Sequence, residues 1–77
     1  MTPAQCRAAR ALLDWTQPAL AASAGLGLST IVDFEKMRRK TISPDAVAAI
    51  RAALESAGVI FIASNGDGPG VRLRDRS

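Results

Sequence analysis

Residues 16–35, TQPALAASAGLGLSTIVDFE, constrain the fold more than any other part of this chain, because they have the pattern of two short helices joined by a turn. Thr16 is a good N-cap, and the apolar residues after it recur at three- and four-residue spacing, which indicates a helix buried on one side. Gly25 follows the last of these residues, where a left-handed backbone ends a helix at little cost. We therefore predict one helix over about 17–24 and another over about 28–38, leaving the turn at a steep angle.

One further helix is predicted before this pair and one after it. Thr2-Pro3-Ala4-Gln5 combines a capping box with proline at the first helical position, so a first helix should span about 3–13. Ser43-Pro44 is a similar start, and the helix that begins there should end at Gly58. The buried stripe of this last helix is expected to consist of Val47, Ile50 and Leu54.

Beyond the last helix the chain changes from helical to extended character. Residues 59–62 are β-branched or aromatic, and residues 64–70 consist almost entirely of turn-forming residues. Residues 70–74 alternate between apolar and basic side chains. The sequence therefore predicts a β-hairpin with a long loop, whose second strand has one apolar and one basic face.

The first strand of this hairpin is apolar on both faces, whereas a small helical core can cover only one of them. We expect the other face to contact a second copy of the chain, which makes a homodimer the predicted assembly. The chain is accordingly divided into a helical domain over 1–58 and a C-terminal hairpin with a basic tail over 59–77. The predicted dimer interface consists of Val59, Ile60, Phe61 and Ile62.

Length and composition exclude several classes of protein. With 77 residues and 48% hydrophobic side chains, the chain can form one small core without metals or disulfides. Cys6 is the single cysteine and lies in line with Ala9 and Leu13, which favours a buried core residue over a reactive thiol. The absence of a signal peptide and of a long apolar run predicts a cytoplasmic protein without membrane contact. Without histidine, tyrosine or suitably spaced carboxylates, we expect no enzyme, no metal site and no cofactor.

Taken together, five short elements of the central segment resemble the phage-repressor and Cro-like helix-turn-helix family, also called the XRE family. These elements are Thr16-Gln17, Leu20-Ala21, Ala24-Gly25, Thr30-Ile31 and Glu35. The resemblance covers roughly residues 3–57 and implies a mainly α, lambda-repressor-like domain of about four helices, here followed by the C-terminal β-hairpin. One departure is Met37, which stands where the family usually has a glycine that ends the third helix.

The resemblance places contacts to DNA bases on the first turns of the third helix. A serine there can bond to several base edges, an aspartate can accept from a cytosine amino group, and apolar side chains can touch thymine methyls. Leu28 and Val32 could instead pack at the flank of the core, and Ser29 and Asp33 could be ordinary surface residues. The predicted base-contacting residues are Gly27, Leu28, Ser29, Val32 and Asp33.

Contacts to DNA phosphates are expected from the start of the second helix and from the basic run after the third. The resemblance gives the glutamine at position 17 a phosphate contact, and cations supply affinity without sequence information. A basic run can also be only a solvated surface, and Arg38 could lean inward. The predicted phosphate-contacting residues are Gln17, Thr30, Lys36, Arg38, Arg39 and Lys40. Arg10 and Glu35 match a family ion pair that joins the first and third helices, and we assign them a structural role.

These features predict a sequence-specific regulator that binds double-stranded DNA, most simply a repressor. A homodimer would recognise a near-palindromic operator with half-sites about 34 Å apart. One alternative is a protein-interaction module of the same fold, an antiactivator or antitoxin that binds another transcriptional regulator, because the third helix lacks glutamine, asparagine and arginine on its outward face. Another is binding of nucleic acid without sequence preference, through the arginines alone, given a net charge of +3.

Overall fold

In the computed structural model, the described part of the chain forms four α-helices and a two-stranded antiparallel β-hairpin. The structure describes residues 1–36, 42–63, 66 and 68–74. In chain order the elements are α1 (Pro3–Leu13), α2 (Gln17–Ala24), α3 (Leu28–Glu35), α4 (Pro44–Ser56), β1 (Val59–Ile62) and β2 (Gly70–Leu73). The predicted fold is therefore confirmed at the level of a mainly helical chain with a C-terminal hairpin. No helix within the described ranges is long and apolar enough to cross a membrane.

Three of the four helices begin at a side-chain cap that the sequence predicts. The hydroxyls of Thr2, Thr16 and Ser43 each accept a hydrogen bond of 3.1 Å from the backbone N–H three residues further along. At α1 the cap is reciprocal, because the Gln5 side chain accepts from the Thr2 N–H at 2.8 Å. α3 follows Gly27, which offers no side-chain cap. Local capping chemistry thus sets where the helices start.

The turn between α2 and α3 depends on Gly25. Its φ of 70° places it in the left-handed region, and the N–H of Leu26 donates to the carbonyl of Ala21 at 2.9 Å. This bond satisfies a carbonyl that the end of α2 would otherwise leave unpaired. A Cβ at Gly25 would meet no atom within 4 Å, so backbone conformation rather than crowding is the reason for glycine here.

The third helix is shorter than predicted, since α3 ends at Glu35 instead of Arg38. Lys36 has φ −87° and ψ 0°, which is outside the helical region, although its N–H still donates to the carbonyl of Val32 at 3.0 Å. The sequence contains neither glycine nor proline between Glu35 and residue 41, so no breaker marks this end. Residues 37–41 lie outside the described part of the chain.

The core lies where the four helices and β1 meet. Its fully buried larger side chains are Cys6, Leu20, Ile31, Ile50, Leu54 and Val59. Burial of Cys6 confirms its prediction as a core residue. On α4, Val47 is only half-buried, and the buried stripe is completed by Ala46 and Ala53.

The hairpin packs one face against the helices. Its register pairs Val59 with Leu73, Ile60 with Arg72, Phe61 with Val71 and Ile62 with Gly70. Opposite residues share a face, and Val59, Phe61 and Val71 contact the core. Since Val59 is only 1% exposed, its side chain belongs to the core of its own chain. Of the predicted dimer interface, Ile60 and Ile62 are the residues on the outer face.

Candidate nucleic-acid interface

The first turns of α3 present a mixed apolar and polar surface. Leu28 is 45% exposed and Ser29 is also exposed, so neither side chain is buried in the core. Val32 and Asp33 are half-buried on the next turn, and Gly27 forms the exposed N-cap position. The residues predicted to contact bases therefore lie on the first two turns of α3 and at its N-cap position. Residues four apart on a helix lie on nearly the same side, so Leu28 is next to Val32 and Ser29 is next to Asp33.

The residues predicted to contact phosphates are placed less uniformly. Lys36 is exposed at the end of α3, and Thr30 is half-buried. Gln17 is the first residue of α2, and its amide nitrogen donates to Glu35 Oε1 at 3.2 Å. The Gln17 side chain thus contacts the buried carboxylate of α3. Three of the predicted residues lie outside the described part of the chain: Arg38, Arg39 and Lys40.

Arg10 and Glu35 form a two-pronged ion pair between α1 and α3. Arg10 Nε is 2.6 Å from Glu35 Oε2, and Arg10 Nη2 is 2.7 Å from Oε1. The side chain of Glu35 is 2% exposed and that of Arg10 is 19% exposed. Arg10 Nη1 also donates to the carbonyl of Trp15 at 3.0 Å, which ties the α1–α2 connection to the pair. Such a geometry fixes direction as well as distance between the two helices.

Glu35 also binds residues that sequence analysis does not assign to it. The thiol of Cys6 lies 3.2 Å from Glu35 Oε2 and donates to it, while Gln17 donates to the other oxygen. Arg7 donates from Nη1 to the backbone carbonyl of Glu35. The carboxylate therefore connects α1, α2 and α3. One signal for the Cys6 contact exists in the sequence, because Cys6 and Arg10 are four residues apart and so lie on one side of α1.

The protonation states of this cluster follow from burial and hydrogen bonding. Burial alone would raise the pKa of Glu35, but hydrogen bonds from Arg10, Cys6 and Gln17, with the charge of Arg10, outweigh it and lower the pKa below its usual value. Burial and the hydrogen bond to Glu35 together raise the pKa of the Cys6 thiol to about 12. Glu35 is therefore ionised and Cys6 protonated in the folded chain at neutral pH.

We expect the Cys6 thiol to make folding stability fall at alkaline pH. Its pKa of about 12 in the folded chain exceeds the ordinary value of 9.0, so its contribution is complete below pH 9 and is lost as pH rises toward 12. The measurement is the free energy of unfolding in urea at pH 7 and at about pH 10. The loss between these two conditions should be smaller in Cys6→Ala than in the unmodified chain, and equal losses would contradict this assignment.

The chain was compared with protein-family models and with curated proteins. No protein-family model matches the chain, and no curated protein matches it. Within the described residues, no group of three or more histidine, cysteine, aspartate or glutamate side chains is arranged to hold a metal ion.

Proposed function

We propose that the chain is a lambda-repressor-like helix-turn-helix protein of the XRE type, which binds double-stranded DNA in a sequence-specific manner and acts as a transcriptional regulator. The observation that carries this proposal is the pair α2 and α3, each of eight residues, joined through a left-handed Gly25. α3 has one buried side, formed by Ile31 and Glu35, and Ser29 is exposed on the opposite side, while Leu28 is exposed at the N-terminal end of the helix. A helix held in this way can enter a major groove.

The dimensions of α3 suit that role. An α-helix with its side chains is about 10–12 Å across, which fits the major groove of B-DNA, about 12 Å wide. The helix is anchored from behind by Glu35, whose carboxylate is held by α1 and α2. An anchored helix loses little conformational freedom on binding, so more of its contact energy is available for discrimination between bases.

The proposed contacts divide into those that specify sequence and those that supply affinity. Ser29 would bond to a base edge, Leu28 and Val32 would touch thymine methyls, and Asp33 would accept from cytosine. Lys36, at the exposed end of α3, would contact a phosphate. The three basic residues after it would add phosphate contacts: Arg38, Arg39 and Lys40. None of the base contacts is a two-pronged pair, so discrimination at each position should be modest.

The proposed regulator is a cytoplasmic homodimer on a near-palindromic operator, and it represses by occupying a promoter. Two-fold symmetry in the protein matches two-fold symmetry in the DNA, with half-sites about 34 Å apart. Ile60 and Ile62 on the outer face of the hairpin provide apolar area for the dimer contact. Ile62 is among the exposed large hydrophobic residues.

The experiment that tests this function is selection of duplexes from a randomised DNA pool by the purified chain at physiological salt, followed by sequencing. We expect enrichment of a motif with two-fold symmetry, because each subunit would present the same helix to its half-site. Binding without an enriched motif would contradict sequence-specific recognition, and absence of duplex binding would contradict the function as a whole.

Two variants should separate base contacts from phosphate contacts on the selected duplex. Ser29→Ala should change preference at one base pair of each half-site by about 1 kcal/mol. Lys36→Ala should weaken binding to all duplexes alike and reduce the slope of log affinity against log salt by about 1. Ser23→Ala, an exposed serine on α2, is the matched control and should leave affinity and preference unchanged. Equal effects of Ser29→Ala and Ser23→Ala would contradict the proposed orientation of α3.

One observation favours a second candidate function. Leu28 is 45% exposed at the first turn of α3, and an exposed leucine suits a protein partner as well as a thymine methyl. In this case the chain would be a protein-interaction module of the same fold that binds another transcriptional regulator instead of DNA. Leu28→Ala would then abolish a salt-insensitive protein complex, and the duplex selection would recover no motif.

A further inference from the structure

A second surface lies on the hairpin and is separate from α3. A groove of about 370 Å³ runs between α1 and the start of β2. Thr2, Ala4, Gln5 and Ala8 line it on the α1 side, and Pro69, Gly70 and Val71 line it on the strand side. Both alanines are exposed, so the groove is open to solvent and offers apolar surface at these two positions.

The strand side of this groove is an open sheet edge. The N–H of Arg74 donates to the carbonyl of Gly58 at 2.7 Å, which makes that pair a hydrogen-bonded pair of the antiparallel ladder. Alternation then directs the backbone N–H and C=O groups of Val71 and Leu73 away from β1. Among the described residues, none donates to or accepts from these four groups. They match the backbone of an added strand.

The other edge of the hairpin is not equivalent. Val59, whose backbone groups would face outward from β1, is only 1% exposed. Further along β1, the guanidinium of Arg51 lies 5.2 Å from the centre of the Phe61 ring and covers it. Leu73 on β2, by contrast, is 39% exposed. The accessible edge is therefore that of β2, and it borders the groove.

The charges around this edge indicate the kind of partner. α1 and β2 contain arginines, β1 contains no charged residue, and none of these three elements contains an acidic residue. Arg72 on β2 and Arg74 directly after it are exposed. Asp67 and Asp75 are the nearest acidic residues in the sequence and lie outside the described part of the chain. Pairing of β2 with β2 of a second copy would place arginines of both copies side by side, which is unfavourable. An acidic strand has no such conflict.

We propose that the β2 edge and the α1–β2 groove bind an extended acidic segment of another protein by strand addition. Side chains opposite Val71 and Leu73 would be apolar and would cover Ala4 and Ala8, while those opposite Arg72 would be aspartate or glutamate on the outer face. The expected ligand thus alternates apolar and acidic residues. The site does not use α3, so it stands whether or not the chain binds DNA.

The test uses the full chain and a fluorescent peptide of alternating valine and glutamate, with a peptide of alternating valine and lysine as the charge control. We expect saturable binding of the acidic peptide and at least about tenfold weaker binding of the basic one. On saturation, the amides of Val71 and Leu73 should become protected from hydrogen exchange, because they gain backbone partners. Binding without protection of these two amides would overturn strand addition.

Variants of the chain make the test specific to the groove. Ala8→Trp fills the groove and should weaken the acidic peptide at least about tenfold. Ala22→Trp, at an exposed alanine on α2, is the matched control and should bind as the unmodified chain does. Arg72→Glu should reverse the preference between the two peptides. A peptide methylated on its alternate backbone nitrogens should lose affinity, since it lacks the N–H groups that an added strand donates.

Other outcomes identify a different occupant and overturn the proposal. If Ala8→Trp and Arg72→Glu leave peptide binding unchanged but weaken duplex DNA, then the arginines contact phosphates. If Ala8→Trp instead converts a dimer to a monomer in analytical ultracentrifugation, then the groove belongs to a contact between copies of this chain.

Discussion

Replacing Glu35 by alanine is expected to lower the free energy of unfolding by about 3–5 kcal/mol, the largest loss that any single substitution outside the apolar core should cause. The carboxylate receives hydrogen bonds from Arg10, Cys6 and Gln17, and it is 2% exposed. Removing it leaves the guanidinium of Arg10 partly buried without its counter-charge. For a domain of this size, total stability is only about 4–12 kcal/mol, so the substitution would remove a large share of it.

The matched control for this substitution is Glu55→Ala. Glu55 also pairs with an arginine, Arg51, at 3.2 Å, but both side chains are nearly half exposed, and such pairs contribute about 0–1 kcal/mol. Urea unfolding followed by circular dichroism measures both variants. If the two substitutions cost the same, the cluster around Glu35 does not stabilise the fold as argued. The double variant Arg10→Met with Glu35→Leu should recover roughly half of the loss, because it leaves no buried charge unpaired.

Acid should weaken the same cluster in the unmodified chain. The pKa of Glu35 in the folded chain lies below its ordinary value of 4.5, so its stabilising contribution is present above that pH and is lost as pH falls through the folded value. Glu35→Gln should show a flatter decline of stability below pH 4.5 than the unmodified chain does. An identical decline would assign acid unfolding to other carboxylates.

Helix starts could be predicted from the sequence because capping is local. Thr2, Thr16 and Ser43 each bind an amide three residues away, so a four-residue pattern contains the whole interaction. The end of α3 could not be predicted, because residues 36–41 contain neither glycine nor proline and the apolar period had no clear stop. The backbone leaves the helical region at Lys36, which no local rule required.

Contacts between distant parts of the chain were less accessible to sequence reasoning. The inward direction of Cys6 follows from its position on α1, but its partner Glu35 is 29 residues away. The sequence predicts that Gln17 contacts a phosphate, and it gives no sign that this side chain donates to the same carboxylate. All four residues of β1 are apolar, so the sequence of this strand does not distinguish its inner face from its outer face. Only the register with β2 does so, because Val59 and Phe61 pair with the apolar residues of β2.

The second large effect is expected from Gln5→Glu, which should detach the hairpin from α1. Gln5 is 7% exposed, and its amide nitrogen donates to the carbonyls of Gly70 at 3.0 Å and Ile62 at 3.4 Å. A carboxylate cannot donate to either carbonyl, so three acceptors would face one another in a buried position. Loss of these bonds and burial of a charge whose one remaining hydrogen bond comes from the Thr2 N–H should cost about 3 kcal/mol at neutral pH.

The same substitution carries its own control, because the new carboxyl group regains a donor when it is protonated. Crowding by two carbonyls and burial should raise its pKa in the folded chain, and the protonated O–H can then donate to one of them. The stability difference from the unmodified chain should therefore shrink as pH falls below about 5, even though both chains lose the contribution of Glu35 there. Hydrogen exchange at Ile60 and Arg72 measures the hairpin directly, and their amides should lose protection first at neutral pH. A penalty that is independent of pH would mean that the shape of Gln5, and not its two donated hydrogen bonds, holds the hairpin to α1.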